Sequence, residues 1–148
     1  KKVVIFMSLS YVNSQIQYYN HLISLTNVSI GNKEEKIQRL KNVKSELLDI
    51  KGEFSNYERR TKEPEFTSTT WHGKLATEFH SFRLGDLVSN YRYLYQNQLS
   101  DIVSKIETKI NDLNQQIQNL KEDINKYENR RSDLYNLRTK LKNEGGMN

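Results

Sequence analysis

Three histidines, His21, His72 and His80, are the side chains best suited to hold a metal or move a proton near neutral pH. Their spacing works against both roles. A zinc pair on one helix needs two histidines four residues apart, and none of the three has such a neighbour. The chain has no cysteine, so it offers neither a thiolate metal site nor a disulfide framework. Its 18 acidic residues are scattered over what reads as polar helix surface, where a solvated charge is the ordinary state. No glycine-rich phosphate loop and no serine nucleophile elbow occurs. The pattern points away from an enzyme and calls for no metal or cofactor.

What remains is the chemistry of recognition. The single tryptophan, Trp71, stands in a Trp71-His72-Gly73 triplet near mid-chain, after the single proline, Pro64. Tryptophan is enriched among the residues that dominate protein interfaces, and glycine permits close approach of backbones. Trp71 reads either as a cap closing one end of a helical hairpin or as an anchor for another chain. His72 reads as an exposed turn residue. Tyr91, Tyr93 and Tyr95 cannot all point one way on a helix, so this section mixes core and surface.

Two long helical segments must position these residues. From Leu9, apolar residues step by threes and fours through Val12, Ile16, Tyr19, Ile23, Ile30, Ile37, Leu40, Leu47, Ile50, Phe54 and Tyr57. This predicts helix one over about residues 8–60. Gly31-Asn32 is a candidate break, but Ile30 and Ile37 keep their phase across it, which favours one continuous helix. Residues 61–70 read as the turn, with Thr69 or Thr70 capping the next helix. Helix two is expected over about residues 71–143. It carries Leu75, Phe79 and Phe82, then a seam at Leu99, Val103, Ile106, Ile110, Leu113, Ile117, Leu120, Ile124, Tyr127, Arg131, Leu134, Arg138 and Leu141, interrupted only by the two arginines. Residues 144–148 read as a disordered tail, and residues 1–6 as an upstream extension before a natural start at Met7.

The fold class expected is all-α, an elongated antiparallel hairpin with a Trp-x-Gly turn and a longer second helix. If Tyr57 lies opposite Lys74, Leu9 falls opposite Glu122. Helix two then outruns helix one by roughly 20 residues, or about 30 Å. The overhang would leave Tyr127, Leu134, Leu137 and Leu141 without cover, and such a surface usually meets a partner. In the alternative, helix two kinks at Gly85 or between Tyr91 and Asn97 and is shortened. Arg131 and Arg138 are either solvated there or paired with a partner's carboxylates.

Composition agrees with thin helical layers. Only 35% of the 148 residues are hydrophobic and mean hydropathy is −0.84, too polar for a thick core. The net charge is +5, and no basic run exceeds two residues. A nucleic-acid binder would more often concentrate its cations in a stripe. No apolar run approaches the roughly 20 residues of a membrane span. The Lys-Lys-Val-Val-Ile-Phe start has too short an apolar run for a secretory signal.

A Trp71-x-Gly73 turn between two long helices resembles the WXG-motif family exported by type VII secretion systems. The Met7-Ser8-Leu9-Ser10 segment, the Pro64-x-Phe66-x-Ser68 lead and the longer second helix resemble the YwqH-like small helical proteins more closely. Trp71, Gly73, Ala76 and Phe79 carry the specific part of a likeness running from about Met7 to Asn143. The resemblance implies a non-enzymatic partner for the helical N-terminal domain of an LXG-type toxin, often beside a second small helical protein. It implies residence in the cytoplasm before export and then the cell surface or the medium. The protein-binding residues expected are Trp71, Gly73, Phe79, Tyr127, Leu134, Leu137 and Leu141. Many secreted relatives carry a Tyr-x-x-x-Asp/Glu export signal. Here Tyr127 is followed four residues on by Arg131 and Tyr135 by Thr139, so a partner would have to supply that signal. The rival reading is a self-associating coiled-coil scaffold, a homodimer with no part in secretion.

Overall fold

A computed structural model describes residues 2–61 and 73–146, with side chains described for residues 9–60 and 73–145. Among the described residues only Gly73 is not helical, and there is no strand. Helix α1 spans Lys2–Thr61. After the connector, α2 (Lys74–Phe82) leads through a π-helical turn (Arg83–Leu87) into α3 (Val88–Tyr93). A second π turn (Leu94–Gln98) then leads into α4 (Leu99–Gly146). The Trp-x-Gly turn, Trp71, His72 and the expected caps Thr69 and Thr70 lie outside the described residues. Helix α2 instead starts with Gly73 at its N-cap. No break occurs at Gly31, residues 2–6 continue α1, and α4 runs on through Glu144 to Gly146 rather than ending in a disordered tail. No described helix is long and apolar enough to cross a membrane.

The chain forms two compact units, residues 1–37 with 112–148, and residues 38–111. In the first, Val12, Ile16, Ile23, Ile30 and Ile37 of α1 are buried, as are Leu113 and Ile117 of α4. The two helices run antiparallel, because rising numbers on α1 meet falling numbers on α4. Lys33 Nζ donates to Gln116 Oε1 at 2.9 Å, and Arg131 Nη1 donates to Asn20 Oδ1 at 2.9 Å. The Tyr19 and Tyr127 rings lie 6.1 Å apart.

In the second unit Lys44 pairs with Glu107 at 3.0 Å. The Tyr91 ring lies 6.0 Å from Phe54 and 6.1 Å from Tyr57. These pairs are antiparallel too. The α1 seam passes through Leu47, Lys51, Phe54 and Glu58, in strict steps of four and three, and all four are buried or half-buried. The expected seam residues Ile50 and Tyr57 are instead 38% and 44% exposed. Following apolar identity rather than the strict period moved the seam onto the helix flank.

The overhang expected at the C-terminal end of helix two is absent. A register with Leu9 opposite Glu122 would put Asn20 opposite residue 111, yet Asn20 meets Arg131, 20 residues further along. Tyr127, Leu134 and Leu141 are accordingly half-buried. The reason is burial. This register lays the long α4 seam over that of α1, and apolar area returns about 25 cal/mol per Å². Lengthening a connection costs only about 0.6 kcal/mol per doubling, so a tight turn is not worth a misaligned seam.

At the start of helix two the buried residues are Ala76, Arg83 and Val88. Steps of four and three from Ala76 run through 80, 83, 87, 90, 94 and 97 to 101, whereas the next fully buried residue is Val103. A π turn absorbs one extra residue within a helix, and the two π turns account for the two-residue offset. They fall at Gly85 and in the Tyr91 to Asn97 section, the two places where the sequence marks an interruption.

Candidate functional site

Helix α2 is short and strongly two-faced. Leu75, Phe79 and Phe82, at positions i, i+4 and i+7, share one side, and they are 71%, 44% and 49% exposed. Ala76, which is buried, and His80, which is half-buried, take the inward side. Arg83 is buried with them, its Nη2 3.5 Å from His80 Nδ1. The result is an apolar stripe exposed along one side of α2.

Gly73 sets where this helix begins. Its φ of 104° lies in the left-handed region, which only glycine enters readily. A β-carbon there would meet nothing within 4 Å, so the demand for glycine is torsional and not steric. The Gly73 carbonyl accepts from both the Thr77 backbone N–H and the Thr77 hydroxyl, each at 3.1 Å. The backbone bond is the opening i→i+4 bond of α2, and no side-chain cap serves the N–H groups of its first turn.

The remaining site residues expected from the sequence belong to the other unit. Tyr127 packs on Tyr19, and Leu134 lines a groove with Tyr11 and Tyr19. Leu141 is half-buried and Leu137 is 43% exposed. Arg131 is bonded to Asn20, and the Arg138 guanidinium lies 4.9 Å from the Tyr135 ring centre. His21 is exposed. No group of three or more His, Cys, Asp or Glu side chains among the described residues is placed to hold a metal ion.

Sequence reasoning missed one cluster. Glu58 is only 6% exposed. Its Oε1 accepts from Arg92 Nε at 3.1 Å and from Nη2 at 2.6 Å, while the Tyr95 hydroxyl donates to Oε2. Bonding to this carboxylate pushes both the Arg92 guanidinium and the Tyr95 hydroxyl above their ordinary pKa values. The signal was available: strict steps of four and three from Leu47 end on Glu58.

The arrangement suits the binding of a helix, with an apolar stripe at i, i+4 and i+7 on one presenting element. Comparison with curated proteins and with solved structures gave no match. The family model described as YwqH-like matches residues 14–138. That span takes in most of α1, the connector with Trp71 and Gly73, α2 with both π turns, and most of α4. On this match the chain belongs to the YwqH-like family.

Proposed function

We propose that this chain is a non-enzymatic adaptor. It binds the helical N-terminal domain of an LXG-type toxin, alone or beside a second small helical protein, and helps present it to a type VII secretion system. The complex forms in the cytoplasm before export. Membership of the YwqH-like family supports the class of role. The observation that carries it is the α2 stripe: Leu75, Phe79 and Phe82 are 71%, 44% and 49% exposed along one side of the helix. Hydrophobic anchors at that spacing suit docking against another amphipathic helix, and Gly73 fixes the angle at which α2 starts. Trp71, two residues before Gly73 in the sequence, is proposed as a further anchor by its residue type.

The test is co-expression of the full chain with the toxin N-terminal domain encoded beside it, followed by affinity capture. Phe79→Asp with Phe82→Asp is expected to weaken capture by at least about tenfold, because hot-spot aromatics contribute about 2 kcal/mol or more. Helical content should be unchanged, since both rings already face outward. Undiminished capture by the double variant would remove α2 from the interface. No capture by the unaltered chain would refute the adaptor role itself.

A further inference from the structure

Helix α2 buries and exposes its residues in the reverse of the usual order. Ala76 and Arg83 are each 5% exposed and His80 is half-buried, whereas Leu75, Phe79 and Phe82 are exposed. A buried cation beside exposed large apolar side chains is the informative kind of exception. The two sets differ by a single residue, since Leu75, Phe79 and Phe82 immediately precede Ala76, His80 and Arg83. One residue is about 100° of rotation in an α-helix. Helix α2 therefore stands one residue's turn away from burying its apolar side.

The element that sets this angle is the first π turn, Arg83–Leu87. Beyond it, α3 is held against α1. Val88 is 3% exposed, Glu58 accepts from Arg92, and the Tyr91 ring lies against Phe54 and Tyr57. With α3 fixed, the number of residues between it and α2 decides which side of α2 turns inward. A π turn takes up one residue more than an α turn for the same rotation. Gly85 stands within it, a poor α-helix former that loses least where α geometry is left.

We infer that the first π turn is a positioning device for the α2 surface. Its residue count keeps Leu75, Phe79 and Phe82 off the buried side and available to a partner helix. The inference rests on the adaptor reading for what the stripe meets, while the angle is a property of this chain alone. Counting residues makes it specific. Removing one residue from the turn closes it to α geometry and leaves α2 as it stands. Removing two turns α2 by about 100° and sets Leu75, Phe79 and Phe82 in the places of Ala76, His80 and Arg83.

The test uses the full chain, which contains no cysteine, with Leu75→Cys or Ala76→Cys as the single thiol and maleimide labelling as the readout. In the unaltered background Leu75→Cys should react at least about tenfold faster, because a buried thiol waits on local opening. Deletion of Gly85 should keep that order. Deletion of Gly85 together with Asp86 should reverse it, Ala76→Cys becoming the faster by about tenfold. A merely loosened helix would speed Ala76→Cys without slowing Leu75→Cys, so slowing at Leu75→Cys is the mark of rotation. The double deletion should also lose toxin capture, which the single deletion keeps. An unchanged labelling order after the double deletion, or a reversed order after the single one, would overturn the inference. So would faster labelling at both positions in either deletion. Labelling needs no toxin, so absence of capture by every variant, with labelling as expected, refutes the adaptor reading and leaves the residue count standing.

Discussion

Replacing Glu58 with alanine probes a buried carboxylate that accepts hydrogen bonds from Arg92 and Tyr95. Its side chain is 8% exposed while that of Arg92 is 50% exposed. Alanine deletes the acceptor for both Arg92 bonds and for the Tyr95 hydroxyl. Breaking a fully buried ion pair costs about 3–5 kcal/mol, but here the guanidinium can turn to water, which reduces the penalty. The lost bonds and packing of the Glu58 side chain leave a net destabilisation of about 2 kcal/mol. For a chain of this length that corresponds to a fall in Tm of about 4–8 °C. Thermal and urea unfolding followed by circular dichroism at pH 7 measures it, with Glu58→Gln expected to fall between the two proteins. A Glu58→Ala protein that melts with the unaltered chain would show that the carboxylate stabilises nothing, whatever its geometry.

Two glycines should respond in opposite directions. Gly73→Ala forces an L-residue to φ 104° and is expected to cost about 1–2 kcal/mol, whereas Gly31→Ala, mid-helix with open space around it, should stabilise by about 0.5–1 kcal/mol; urea midpoints distinguish them. Val12, 1% exposed, should lose about 2 kcal/mol on truncation to alanine, read as a lower midpoint with unchanged helicity. The Tyr95 hydroxyl is raised above its ordinary value of 10.0, chiefly by its bond to Glu58. Its contribution is therefore complete below pH 10.0 and is lost as pH rises through the higher folded value. Tyr95→Phe should flatten that part of the alkaline stability loss and leave a smaller, pH-independent deficit at neutral pH.

The helical class, the continuity of α1 across Gly31 and the α4 seam from Val103 to Leu141 were legible because period-3.6 burial writes itself into local spacing. Glu58 was legible in the same period but was passed over because it is charged. The two interruptions near Gly85 and after Tyr91 were visible as places. Their form, π turns that shift phase by one residue each, was not.

The register was out of reach of the sequence. Seams of repeating threes and fours match at many offsets, and choosing among them requires the summed burial of all layers at once. The same choice placed Tyr127 and Leu134 against α1, so tertiary packing decided which apolar residues remain exposed. The sequence alone determined that there are two amphipathic arms, that the first 32 residues are nearly free of charge, and that a glycine stands where α2 begins. Those are local properties of neighbouring residues. Pairing between distant helices is a collective property, and it assigned each apolar side chain either to the interior or to the surface.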